Sequence, residues 1–317
     1  MAKQVARFGD GDLPGLLLRD FRIESSVLCR SVMAAPWGFS VAAREAGSFH
    51  LLLSGQGWLE VEGSGPADPI HLRAGDVVVL PKGNGHRVKD SRRSAAPALT
   101  AILAEREVVN GELRFGGNGA PDAEIVCGTF TVESGRAPWF ERLPPVVVSA
   151  SSQADGDWRQ AITRALRDEA RTPTAGGAGV VNRWLESILG HAIRIGMSAA
   201  ADGAGSGADA AALTDGRIGR AIARVQERPE AAWTLASLAA VATMSRSAFA
   251  DRFRSVMGEP PVAYVRRLRL QRAERLLRTS DATLADIASR VGYAAPESLS
   301  RAFKARYGVA PSAIRRR

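Results

Sequence analysis

Two sets of side chains in this 317-residue chain have the types and spacing to do chemistry. The first is small: His50 and His86, each set among apolar residues and turn formers, and the two cysteines, Cys29 and Cys127. Two imidazoles pointing into one barrel would either contact a ligand there or hydrogen-bond in its core. With no evident carboxylate beside them they make a poor catalytic metal centre, so neither a metal nor another cofactor is expected. The cysteines are too few for a disulfide scaffold or a thiolate zinc site and fit a reducing, cytoplasmic setting. They read as buried structural thiols before a redox pair. His71 and His191 belong to no motif and are expected at the partly exposed surface. The second set is larger and basic: Arg246, Ser247, Ala250, Asp251 and Arg254, then, further along, Glu297, Ser298, Ser300, Arg301 and Lys304. Such a set on a helix face reads nucleic acid, with arginine pairing to guanine and other cations clamping phosphates.

The elements that must position this second set are visible as an internal repeat. Thr234, Leu238, Ala239 and Met244 recur as Thr283, Ile287, Ala288 and Tyr293 at a spacing of 49. Phe249, Phe253, Gly258 and Pro261 recur as Leu299, Phe303, Gly308 and Pro311 at a spacing of 50, so the extra residue falls in a turn. Each copy reads as a short helix, a tight turn and a second helix. In the first copy Leu235, Leu238 and Ala239 mark an apolar face, Ser245 is placed to cap the second helix, and Phe249, Phe253 and Val256 form its buried stripe. In the second, Gly292 supplies the turn, and Pro296, with no N–H to lose, suits the first helical position. This is the helix-turn-helix pattern, whose second helix enters the major groove with its N-terminal residues at the base edges. Arg246 and Arg301 are expected at guanines, Arg254 and Lys304 at phosphates.

Between the copies, residues 263–278 read as a helix that buries Val265, Leu268, Ala273, Leu276 and Leu277 and exposes Arg266, Arg267, Arg269, Arg272, Arg275 and Arg278. At ~1.5 Å per residue it spans roughly 24 Å. That suits two recognition helices entering successive major grooves about 34 Å apart. Charge agrees with this placement. Residues 215–317 carry 20 Lys+Arg against 9 Asp+Glu, whereas the first 214 residues carry 22 against 24. A GC-rich genome accounts for 38 arginines against 4 lysines, but not for acids that balance them only in the first two thirds. A basic domain beside a neutral one points to double-stranded DNA before a membrane. No stretch of 18 apolar residues is present, and the first ten residues lack the apolar core of a signal peptide.

Residues 1–150 read as short strands and turns, with runs at 49–53, 58–61, 77–80, 99–103 and 125–132 bounded by Gly, Pro, Asn or Asp. Such spacing suggests a small barrel or jelly roll. Residues 151–198 read as a helical hairpin, its two helices joined around 172–179. Its second helix carries an apolar stripe through Val181, Trp184, Leu185, Ile188, Leu189, Ala192 and Ile195, which would either pack on the barrel or pair with its twin in a dimer. Residues 199–214, rich in Ala, Gly and Ser, read as a flexible linker ahead of a double helix-turn-helix domain at 215–317.

Residues 216–317 resemble the DNA-binding domain of AraC/XylS-type transcription regulators. The resemblance is most specific in Ile287-Ala-Ser-Arg-Val-Gly-Tyr293, Leu299-Ser-Arg-Ala-Phe-Lys304 and Tyr307-Gly-Val-Ala-Pro311. The turn Ala294-Ala-Pro296 departs from it, since family members often carry a polar residue there. Upstream, Gly75 through Pro81 and Gly83 to His86 have the spacing of the second cupin motif. With Phe49 to Gly55 they resemble the cupin-like sensor domains found ahead of AraC-type domains. Cupin enzymes hold a metal with two His and a Glu from the first motif and a His from the second. Here the Glu position holds Ser48 and the two His positions hold Val41 and Ala43. The resemblance implies a two-domain α+β protein, a cupin-like β-barrel with a helical hairpin followed by an all-α double helix-turn-helix domain. It further implies a sequence-specific transcription regulator rather than an enzyme, controlled by a small effector in the cupin-like domain, with His50 and His86 as candidate ligand contacts. A homodimer is expected, contacting RNA polymerase if it activates. The alternative is a metal-dependent cupin enzyme with a DNA-binding appendage, which would need a full metal triad.

Overall fold

The computed structural model of the protein describes residues 13, 16, 23–63, 68–132, 138–141, 143–150, 157–171, 177–202 and 215–315. The chain forms two compact units, residues 21–136 with 140–200, and residues 201–317 with 1–20 and 137–139.

Along the chain run β1 (Ile23–Ala34), β2 (Gly38–Val41), β3 (Gly47–Ser54), β4 (Gln56–Val61), β5 (Ile70–Arg73), β6 (Val77–Leu80) and β7 (His86–Lys89). They are followed by α1 (Leu99–Glu105), β8 (Val108–Val109), β9 (Glu112–Gly116), β10 (Ala123–Val132), α2 (Pro138–Glu141), β11 (Val147–Ser149), α3 (Asp157–Arg171) and α4 (Gly177–Asp202). The strands make a seven-stranded sheet, β11-β6-β3-β10-β1-β9-β8, and a four-stranded sheet, β2-β7-β4-β5. Every pair is antiparallel except β1 with β9.

Strand β3 is buried along nearly its whole length because both its faces are covered. Successive side chains point to opposite faces, so Leu52 faces the barrel core with Met33, Phe39, Leu59, Val78, Ile125 and Cys127. The other face of the sheet meets the hairpin. On α4, Leu185, Ile188, Leu189, Ala192, Ile193 and Met197 are buried. A Cβ at Gly196 would lie 2.6 Å from Val147 Cγ2, so the helix rests directly on β11. Of the two uses open to the stripe through Ile188, packing on the sheet is the one its central residues serve.

One element departs from expectation. Residues 99–103, expected as a strand, form the helix α1, with Leu99 and Ile102 buried and Leu103 packed on the barrel core. Their spacing of three and four is helical, and β-branching is confined to two of the five residues, so nothing local favours the extended form. The expected linker at 199–214 begins with four residues that complete α4, and residues 203–214 lie outside the described residues, as do 172–176 of the hairpin connection.

The second unit is helical: α5 (Gly216–Glu227), α6 (Leu235–Val241), α7 (Arg246–Met257), α8 (Pro261–Thr279), α9 (Leu284–Arg290), α10 (Pro296–Tyr307) and α11 (Pro311–Ile314). The N-terminal half of α8 buries Tyr264 and Val265 in a core with Ile218, Ile222, Leu238, Phe249 and Phe253. Its C-terminal half buries Leu270, Ala273 and Leu277 against Ile287, Val291, Leu299 and Phe303. Leu13 and Leu16 are buried in the same unit, where Gln226 Nε2 donates to the Leu16 carbonyl at 3.0 Å.

Candidate nucleic-acid interface

The two helix-turn-helix copies share their local chemistry. Thr234 and Thr283 cap α6 and α9 with reciprocal capping boxes to Ser237 and Asp286. Each turn closes by the same long backbone bond, Met244 N–H to the Ala239 carbonyl at 3.0 Å and Tyr293 N–H to the Ala288 carbonyl at 2.8 Å. The residue that reverses the chain is left-handed in both, Thr243 at φ 55 and Gly292 at φ 83. Ser245 then caps α7 by accepting from Ala248 N–H at 3.3 Å. Ala295 offers no such bond to α10, which instead starts on Pro296.

Phe249, Phe253, Leu299 and Phe303 are buried, and this sets what the recognition helices present. On α7, Arg246, Ser247, Asp251 and Arg254 are exposed and Ala250 is half-buried. On α10, Glu297, Arg301 and Lys304 are exposed, while Ser298 and Ser300 are half-buried. Arg246, Arg254, Arg301 and Lys304 form no ion pair or side-chain hydrogen bond among the described residues.

Several neighbouring arginines are instead occupied within the fold. Arg217 and Arg252 both bond Asp215, which caps α5 by accepting from Arg217 N–H. Burial raises the Asp215 pKa, but the bonds from Arg217 and Arg252 outweigh it and hold the carboxyl below its usual value. Arg278 pairs with Glu274. Three arginines expected to be exposed on α8, Arg267, Arg269 and Arg272, are half-buried; Arg267 pairs with Glu259 at 2.8 Å, and Arg269 bonds three backbone carbonyls. Arg290 and Arg306, in the last turns of α9 and α10, are exposed; the charge of Arg290 acts on Asp286 one turn before it. Neither was singled out in the sequence, although both are cations close to the recognition surface.

In the other unit β3 and β7 bring His50 and His86 together, both buried. His86 Nδ1 lies 2.8 Å from the Asn84 carbonyl, which only accepts, so Nδ1 carries the proton. In the neutral ring Nε2 is then bare and accepts from His50 Nε2–H at 2.6 Å. His50 Nδ1, bare in turn, accepts from the Cys127 thiol at 3.2 Å. Burial, then the charges of His86 and Arg44, push His50 well below its ordinary pKa, and burial lowers His86 too. Burial pushes the Cys127 thiol well up. All three groups are therefore neutral. Tetrahedral ligands with bonds of ~2.0–2.1 Å stand about 3.3 Å apart, so the metal of cupin enzymes does not fit between these nitrogens. Val41, Ala43 and Ser48 add no third nitrogen or carboxylate.

Neutral buried histidines make stability pH-dependent with a defined sign. The folded pKa values lie below the ordinary 6.5, so between them the unfolded chain binds more protons. The contribution is full above about 6.5 and is lost as pH falls through the folded values. Thermal melts are expected to show the cupin unit losing stability below about pH 6.5, and His50→Gln is expected to flatten that loss. A wild-type melt that does not change between about pH 7 and 5 would contradict the neutral pair.

A cupin family model matches residues 15–198, more than half of the chain, and a helix-turn-helix domain model matches residues 238–317. The chain is 28% identical over 286 residues to an AraC-like transcription regulator of Streptomyces lividans, a match covering 90% of this chain and 91% of that one. The chain belongs to the cupin-bearing AraC-type transcription regulators. This AraC-type regulator is also 27% identical over 270 residues to the HTH-type transcriptional regulator MtrA of Neisseria gonorrhoeae, covering 85% and 86% of the two chains. Among solved structures, the DNA-binding domain of AdpA in complex with a target DNA is 34% identical, covering 31% of this chain and 87% of that one, with a TM-score of 0.30. The relatives carry the names of regulators, not of enzymes. Among the described residues, no helix is long and apolar enough to cross a membrane.

Proposed function

We propose that this AraC-type regulator reads its operator through the outward faces of α7 and α10. Arg246 and Arg301 contact guanines, Arg254 and Lys304 hold phosphates, and Ser247, Ala250, Asp251, Glu297, Ser298 and Ser300 complete the base-edge surface. The carrying observation is the sorting of cations. These four are exposed and unpaired, while Arg252, Arg267 and Arg269 on the same framework are tied to the fold. Arg301 lies between the buried Leu299 and Phe303 and projects away from them. Arg301→Ala is expected to cost about 1–3 kcal/mol of discrimination at one base pair per half-site, with binding to random duplex nearly unchanged. Equal losses on operator and random DNA, with a salt slope smaller by about one, would make Arg301 a phosphate clamp.

Control by a small effector in the cupin unit belongs to the same reading. It is supported by a cleft of about 320 Å³ whose lining includes Pro36, Trp37, Ile102 and Phe115. Phe39 contacts both Phe115 and His50, with ring centroids 6.2 and 5.6 Å apart, so the His50–His86 pair stands one residue behind that lining. The regulator acts as a cytoplasmic homodimer through residues 1–198, on the side of α4 away from the sheet, where Val180 is exposed and Trp184 half-buried. As an activator it would also meet RNA polymerase.

A further inference from the structure

Arg269 stands midway along α8, the helix shared by both helix-turn-helix copies. Its Nε donates to the Pro229 carbonyl at 2.7 Å and its Nη2 to the Ala231 carbonyl at 2.7 Å. Both acceptors lie in the loop that leads into α6, in the first copy. Its Nη1 donates to the Gly292 carbonyl at 2.9 Å, in the turn of the second copy. One guanidinium therefore ties together backbone from both halves. Its donors form a planar fork of fixed geometry, so three simultaneous bonds hold the two segments in one orientation.

The two segments it joins are themselves rigid. In the loop, Ala231 N–H and the Trp233 indole both donate to the Arg228 carbonyl, and Trp233 N–H donates to the Ala231 carbonyl. The turn approaches this loop closely: a Cβ at Gly292 would lie 2.7 Å from both Glu230 Cα and the Glu230 carbonyl oxygen, and 2.8 Å from Arg269 Nη2. With φ at 83 the turn favours glycine at residue 292, and the absence of a side chain there is what lets the halves touch. Half-buried and committed to carbonyls, Arg269 has no role on a phosphate.

We propose that Arg269 is a positioning residue for DNA reading, which locks α7 against α10 and thereby fixes the spacing between the two base-pair clusters that one protomer reads. This rests on the reading of α7 and α10 as the DNA-contacting helices. Packing of α8 into each half already sets a rough geometry; the Arg269 brace removes the remaining freedom to rotate one half about the helix axis. A protein so braced discriminates against a changed spacing, because one inserted base pair turns the second cluster by roughly 35° and moves it along the axis by about 3.4 Å.

The test uses the full-length protein and an operator selected from a random duplex pool, together with the same operator carrying one inserted base pair between the two contacted clusters. For the wild type the insertion is expected to cost at least about tenfold in affinity. In Arg269→Lys, whose ammonium is a single point donor, the penalty is expected to shrink to about twofold, with affinity for random duplex and its salt slope unchanged. A penalty of undiminished ratio in Arg269→Lys would leave the spacing to α8 packing alone and overturn the proposal. Lower affinity for random duplex with a smaller salt slope would make Arg269 a phosphate contact and overturn it as well. A second readout needs no DNA: spin labels at Ala248→Cys on α7 and Ala305→Cys on α10 are expected to give a narrow distance distribution that broadens in Arg269→Lys. An unchanged distribution, or loss of helical circular dichroism in Arg269→Lys, also overturns the positioning role. If the wild type selects no operator, the reading of α7 and α10 fails first, and the brace with it.

Discussion

Raising salt from about 50 to about 200 mM is expected to weaken operator binding by about a thousandfold or more. The expectation follows from the cations left unpaired on the helical unit, not from the net charge of the chain. Arg254 on α7 and Lys304 on α10, the phosphate contacts of the proposed reading, are exposed, and Arg290 and Arg306 extend the same exposed surface. A protein that neutralises some six or more phosphates releases that many counterions, and the logarithm of its affinity falls with the logarithm of salt at a slope of about −0.9 per contact. Arginines with internal partners, such as Arg217, Arg252 and Arg267, contribute little to that slope. Titration of labelled operator by fluorescence anisotropy at four salt concentrations measures it. A slope shallower than about −3 would mean that these cations do not meet phosphates.

Ile188→Glu is expected to unfold the cupin unit, at a cost of about 4 kcal/mol or more. Ile188 is 1% exposed in the middle of α4, with Leu185, Leu189 and Ala192 buried around it. A carboxylate placed there has no partner and displaces apolar contact with the sheet. Ser187→Glu, on the exposed side of the same turn, is expected to stay within about 0.5 kcal/mol of wild type. Near-ultraviolet circular dichroism with sedimentation separates the possible outcomes. A folded, monomeric Ile188→Glu protein would show that the stripe serves an interface between protomers instead of the core.

The helical unit was the more legible half, because the interactions that define it are local. Thr234 with Ser237, Thr283 with Asp286 and Ser245 with Ala248 close within three residues, and the repeat aligned Thr234 with Thr283 in advance. The ten recognition-face residues likewise followed from the buried positions of Phe249, Phe253, Leu299 and Phe303, since a helix that buries one stripe must expose the opposite one. The barrel was harder to read. Strand β1 mixes Ser, Cys and Arg with Val and Met, so its twelve residues showed no clean alternation, and its parallel pairing with β9 joins segments some eighty residues apart. Residues 99–103 form an apolar run short enough to read as a strand, but Leu99, Ile102 and Leu103 share one helical face, and that face packs on the barrel.

Sequence by itself determined the architecture, the repeat, the basic half and the side of each recognition helix that faces out. Only the tertiary structure decided what individual side chains do. Arg269 and Arg301 read alike on their helices, yet one is drawn into carbonyls from residues 229, 231 and 292 while the other stays free. His50 and His86 read as two histidines in one barrel, and the register of β3 and the bond from His86 to Asn84 turned them into a neutral, hydrogen-bonded pair. The physical reason is common to both. Periodicity fixes which way a side chain points, but its hydrogen-bond partners come from remote segments that meet only when the chain has closed on itself.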